Sequence, residues 1–150
     1  MEVTTDQIKE LREKTGISVA ECKKALVEAD GDMDKAFAVL RERAAAAVGK
    51  KADRALGAGC VASYVHGTAQ VGAMVRLSSE TDFVAKNEEF IALGRDIAMQ
   101  AAAMKPGNVA ELLAEPYIKD PSRTVQDLIS AATQKFGERI ELSELAVFSV

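Results

Sequence analysis

The run Ser79-Glu80-Thr81-Asp82-Phe83-Val84-Ala85-Lys86-Asn87-Glu88-Glu89-Phe90 sets two acids and a large aromatic close together. Glu80 and Asp82 have the proximity of paired carboxylates in general acid–base sites. Nothing else in the chain supports hydrolysis, and polar caps account for both acids. His66 is the only histidine and lies at the edge of a predicted hairpin, so a catalytic triad is not indicated. Cys22 and Cys60 are far apart and have neither metal-ligand nor redox spacing. Gly49-Lys50 lacks the upstream glycine and the following Ser or Thr of a phosphate-binding loop. Gly57-Ala58-Gly59 follows a helical pattern and precedes a strand, the reverse of a dinucleotide site. The residues therefore point to a protein-binding module without catalytic residues, cofactor or metal, rather than to an enzyme.

The elements around this run decide what it presents. Val71 to Ser79 alternates like a strand, and a helical pattern runs from about Asn87 to Met104. Asp82 and Phe83 thus stand where strand gives way to helix. Phe83 breaks the alternation and precedes most of the helical stripe. On physics alone, Phe83 tucks under the first helical turn as a staple and Asp82 caps it. The alternative leaves both exposed as a binding element, as strand–helix junctions often do.

Upstream, Thr4-x-x-Gln7 and Ser18-x-x-Glu21 read as capping boxes, Gly16 and Gly31 as helix stops, and Asp32 as a third cap. Ile8 and Leu11 predict the inner face of a first helix. Cys22, Ala25, Leu26 and Ala29 predict a second, and Met33, Ala36, Phe37 and Leu40 a third. Cys22 is a core residue on this reading. Residues 1–42 form one helical domain, 43–58 a partly helical linker, and 59–150 an α+β core. Cys60–His66 and Val71–Ser79 predict a hairpin across Gly67–Gln70. The stripe Phe90, Gly94, Ile97, Ala98, Ala101 and Met104 predicts a helix stopped by Pro106-Gly107. Val125, Leu128, Ile129, Ala132 and Phe136 predict another, capped by Thr124 and ended by Gly137; Ile140–Val150 reads as a last strand. The fold class is α+β: a small antiparallel sheet with helices on one face.

With 48% hydrophobic and 28% charged residues, the chain has ordinary globular composition. A net charge of −4 opposes nucleic-acid binding, which needs clustered Lys and Arg. Arg41, Arg43, Lys50, Lys51 and Arg54 do gather, but Glu42 and Asp53 interleave them as on a solvated helix. No apolar run approaches the ~20 residues of a membrane span. Met1-Glu2-Val3 lacks a secretory profile, so a cytoplasmic, reduced location is expected.

The run Thr81-Asp82-Phe83-Val84-Ala85-Lys86-Asn87 resembles the signature of the translation elongation factor Ts family. Three further matches fall in the family's order. They are Leu11–Gly16 with Glu21–Leu26 and Gly31-Asp32, then Tyr64-Val65-His66-Gly67, then Pro121-Ser122-Arg123-Thr124-Val125 through Leu128. The resemblance implies a guanine-nucleotide exchange factor that releases GDP from the GTPase elongation factor Tu. It also implies that the first three helices resemble the ubiquitin-associated fold. In the family, the Thr-Asp-Phe-Val segment inserts near the magnesium site of the GTPase. Here that segment is Thr81, Asp82, Phe83 and Val84. The N-terminal contact carries over onto Val19, Ala20 and Lys23, although bulkier apolar residues often stand at the first two positions. The chain departs from the family between Lys105 and Asp120, where a longer segment is usual and only a short helical turn near Asn108–Ala114 is predicted. Members with one core subdomain can pair two chains, so a homodimer is expected through the face bearing Gly72, Met74, Arg76 and Ser78. A non-exchange adaptor using the N-terminal helices is the alternative; it needs no exposed Asp82-Phe83.

Overall fold

The computed structural model describes residues 2–150. Helices α1 (Thr5–Thr15), α2 (Val19–Glu28) and α3 (Met33–Lys50) come first. Strands β1 (Ala58–Val65) and β2 (Val71–Ser79) follow, then α4 (Asp82–Ala85), α5 (Glu88–Met104) and α6 (Val109–Ala114). Strands β3 (Pro116–Tyr117) and β4 (Asp120–Thr124), helix α7 (Val125–Phe136) and β5 (Glu141–Ser149) complete the fold, which is α+β.

Local chemistry marks the helix ends. Thr4 and Gln7 form a reciprocal capping box. Ser18 caps α2 from one side only, because Glu21 turns away to Lys24 and Arg43. Asp32 Oδ1 accepts from Lys35 N at 3.0 Å. Leu11, Cys22, Ala25, Leu26, Ala36 and Leu40 are buried together, with Ile17 added from the α1–α2 loop. Helix α3 does not stop there. It runs to Lys50, buries Ala44, and lies along α7.

The three-stranded sheet has the order β1-β2-β5 and is antiparallel throughout. His66 N donates to Val71 O at 2.9 Å and closes the β1–β2 hairpin. Ala73, Val75 and Leu77 face inward, as the alternation predicts, and meet Phe90, Ile97, Ala98 and Ala101 of α5. The helix lies very close: a Cβ at Gly94 would meet Ala62 Cβ at 3.1 Å and Cys60 Sγ at 3.3 Å. Phe90 and Phe136 then close the core edge-to-face, with centroids 6.2 Å apart.

Three features depart from the sequence reading. Strand β5 is not of one parity: Arg76 pairs with Glu144 but Leu77 pairs with Leu142, so Ser143 is an extra residue. Its hydroxyl lies 2.7 Å from that of Ser78. Leu142 therefore faces inward on one side of the bulge, and Leu145 and Val147 on the other. Second, the chain from 116 to 124 makes a small hairpin, β3–β4, where only connection was expected. The wholly buried Gln100 pins it, donating to Pro116 O at 3.0 Å and accepting from Ile118 N at 2.9 Å. Third, a separate one-turn helix, α4, stands between β2 and α5.

Candidate functional site

Helix α4 carries the Thr81-Asp82-Phe83-Val84 run and corrects its physics-only reading. Asp82 is not the cap. Thr81 is, accepting from Val84 N, and Asn87 separately caps α5 by accepting from Glu89 N at 2.9 Å. Phe83 is not a staple either, because 86% of it is exposed. The buried place under the turn belongs to Val84 and Ala85, which face the core against β1 and β2. Successive helical residues point about 100° apart, so a turn that buries Val84 and Ala85 sends Phe83 outward. Asp82 is exposed beside it. The site is thus an apolar ring and a carboxylate on a protruding turn, suited to entering another protein.

The base of this turn is braced by the segment that follows α7. One Glu138 oxygen accepts from Glu80 N at 3.2 Å and from Thr81 N at 3.0 Å. The other accepts from the Thr81 hydroxyl at 2.7 Å. Arg54, just beyond α3, donates to Glu80 at 3.5 Å and to Gly137 O at 3.3 Å, while Arg139 donates to Arg54 O at 2.7 Å. Glu138 was not singled out from the sequence, and Arg54 was read there only as part of a solvated basic cluster. Both belong to segments distant from Thr81, and nothing local marks them.

Val19, Ala20 and Lys23 are all exposed at the start of α2, away from its buried stripe of Cys22, Ala25 and Leu26. Val27 extends the same exposed face, one turn beyond Lys23. It was legible as an apolar residue lying off the core stripe. The Thr81–Val84 turn and the α2 patch lie on different elements, in the core and in the helical unit respectively.

The remaining candidates are structural or exposed. Burial pushes the pKa of both the Cys22 and Cys60 thiols up, which disfavours the reactive thiolate. His66 Nδ1 lies 3.3 Å from the Tyr64 hydroxyl on an exposed hairpin edge. Glu80 is engaged by Arg54. Among the described residues, no three His, Cys, Asp or Glu side chains gather as a metal-binding group, and no helix is long and apolar enough to cross a membrane.

A family model described as Elongation factor TS matches residues 80–150, which hold the protruding turn and its brace. Curated relatives extend the likeness to the whole chain. Elongation factor Ts of Acetivibrio thermocellus is 37% identical over 191 residues, covering 97% of this chain and 89% of the relative. That of Heliobacterium modesticaldum is 38% identical over 193 residues, covering 99% and 90%. That of Leptospira biflexa is 37% identical over 195 residues, covering 100% and 98%. The last alignment has 195 positions against the chain's 150 residues, so the relative has residues at 45 positions where this chain has none.

Proposed function

This chain belongs to the elongation factor Ts family, and from that premise we propose that it binds elongation factor Tu·GDP and promotes GDP release during translation elongation. The observation that carries this reading is Phe83: a large apolar side chain 86% exposed on a backbone turn anchored on both sides. Burying such a ring in a partner is worth about 1.5–3 kcal/mol. A monomer with no partner gains nothing from leaving it in water.

In the proposed mechanism, the exposed Asp82 and Phe83 of the Thr81–Val84 run enter the GTPase near its magnesium site, while the buried Val84 stays in this protein's core. Phe83 wedges between elements of the GTPase. Asp82 brings charge and hydrogen-bond acceptors beside it, and Thr81 and Val84 hold the turn that carries both. The magnesium shell and phosphate-binding loop are disturbed, and GDP loses contacts. The coupling is reciprocal: the factor by which this protein weakens GDP is the factor by which GDP weakens this protein. The ternary complex is therefore short-lived, and GTP completes the cycle in the cytoplasm. Val19, Ala20 and Lys23, on a three-helix unit of ubiquitin-associated type, supply a second contact. Two tethered contacts raise affinity without a new mechanism.

The shorter length is accommodated between Lys105 and Asp120, where α6 and the start of the β3–β4 hairpin fill the place of the family's longer segment. With one core subdomain per chain, the protein acts as a homodimer. Support comes from the sheet's outer face, where Val61, Val65, Met74 and Phe148 are exposed and Phe148 is 79% so.

Stopped-flow release of a fluorescent GDP from elongation factor Tu tests the function. Acceleration by this protein is expected. Binding without acceleration selects the adaptor reading instead.

A further inference from the structure

We infer that Glu138 is a positioning residue for exchange: its carboxylate sets the direction in which Phe83 leaves the surface. This rests on the exchange reading above and adds to it a residue outside the Thr81–Val84 run. Helix α4 is a single turn of four residues. Helix nucleation is unfavourable, so one turn does not hold itself in place. Its rear is fixed by the burial of Val84 and Ala85. Its front is fixed by Glu138, which receives three donors from two consecutive residues: Glu80 N, Thr81 N and Thr81 Oγ1.

A carboxylate suits this junction. It accepts at both oxygens and carries no proton of its own, so converging donors meet no competing one. Such bonds to an ionised acceptor are shorter and stronger than neutral ones. Thr81 is also the N-cap of α4, accepting from Val84 N. The same hydroxyl that donates to Glu138 therefore starts the turn on which Phe83 sits. Glu138 acts on the wedge through Thr81 and has no direct contact with Phe83 among the hydrogen bonds of the site.

The consequence is kinetic. A wedge that is already ordered does not have to order itself on binding, and so more of its contact energy is available to displace the nucleotide's surroundings. Without Glu138, Val84 and Ala85 still bury the rear of the turn, but Thr81 and Phe83 sample several directions. The N-terminal contact through α2 is untouched. Loss of the brace therefore lowers the maximal exchange rate more than it raises the concentration needed for half-saturation.

The test uses full-length Glu138→Ala, Glu138→Asp and Glu138→Gln proteins. Aspartate keeps the charge but is one methylene too short to reach all three donors. Glutamine keeps the length and one carbonyl for the two amides. Two quantities are read: hydrogen exchange at the Glu80 and Thr81 amides by NMR, and GDP release from elongation factor Tu across a range of concentrations. Glu138→Ala and Glu138→Asp are expected to lose amide protection and to lower the maximal rate roughly tenfold, because the wedge must then be ordered at the expense of its contact energy. Glu138→Gln keeps an acceptor for the two amides but turns a donor toward the Thr81 hydroxyl, and is expected to fall between Glu138→Ala and the wild type in both.

A Glu138→Asp protein with wild-type amide protection or a wild-type maximal rate overturns the inference. So does a Glu138→Ala protein with wild-type amide protection and a wild-type maximal rate, since the carboxylate would then hold nothing. A wild-type protein that fails to accelerate GDP release defeats the exchange reading itself, a result distinct from any difference among the Glu138 variants. The amide exchange then still reports whether Glu138 holds the segment.

Discussion

Arg41 Nε lies 2.8 Å from Asp127 Oδ1, while Asp127 Oδ2 accepts from Thr124 N at 2.8 Å. One carboxylate thus clips α3 onto α7 and completes the capping box that starts α7. The helical unit is held further by Arg123, which donates to Lys14 O at 3.0 Å. Asp127→Ala leaves Thr124 as the cap but removes the returning half of the capping box and the clip together, and is expected to cost roughly 1–2 kcal/mol. Arg41→Ala removes only the clip, whose cationic partner is half exposed, and is expected to cost under about 1 kcal/mol. Urea unfolding of both variants measures the difference. Equal losses would show that the bond from Thr124 N to Asp127 contributes nothing separable.

Neighbouring residues on α4 are expected to separate function from stability. Phe83→Ala leaves the melting temperature unchanged, because the ring is exposed, and sharply lowers GDP release. Val84→Ala removes buried methyls and costs about 1.5 kcal/mol. Thermal melts and exchange assays on the two proteins check this. A Phe83→Ala protein that melts early would restore the staple.

On α2, the double variant Val19→Glu, Lys23→Glu alters exposed positions only. Its expected signature is weaker half-saturation with an unchanged maximal exchange rate. A fall in the maximal rate at saturation would place the helical unit in the conformational step itself.

Tyr117 gives a pH prediction. Burial, reinforced by Asp96, pushes its phenol up to about 12. The neutral form is favoured by the fold, so this contribution is complete below the ordinary tyrosine value near 10 and is lost as pH rises through about 12. Lysines also titrate in that window, so the comparison is with Tyr117→Phe. The wild type should lose more stability between about pH 10 and 12 than Tyr117→Phe does. Absorbance of the ionised phenol, recorded alongside denaturant unfolding, follows both.

The outer sheet face gives the last prediction. Met74 is half exposed there, and Phe148 lies beyond it on the adjacent strand, paired with Gly72. Met74→Glu and Phe148→Glu should convert a dimer into monomers without lowering the melting temperature of the monomer. Sedimentation equilibrium decides it, and a wild-type mass that stays at 16.0 kDa across concentration removes the dimer.

The helix caps, the inward stripes and the position of β2 were legible because each depends on residues within one or two turns or alternations. Thr4 and Gln7, or Thr124 and Asp127, meet across three residues whatever the rest of the chain does. The Thr81–Val84 run was likewise visible as a motif. Its orientation was not. Phe83 or Val84 could have filled the space beneath the turn, and sheet and helix together admit Val84. Ser143 is read as ordinary alternation until β5 meets β2 and the register shifts. Glu138 lies 57 residues from Thr81, and only the return of the chain at the end of α7 brings its carboxylate to those amides. Gln100 similarly acquires its partners from a hairpin sixteen to eighteen residues further on. Local pattern determined which elements form, since hydrogen bonding and periodic burial are short-range. Packing decided which side chains face water and which distant group satisfies a given amide, because both depend on how the elements close on one another in space.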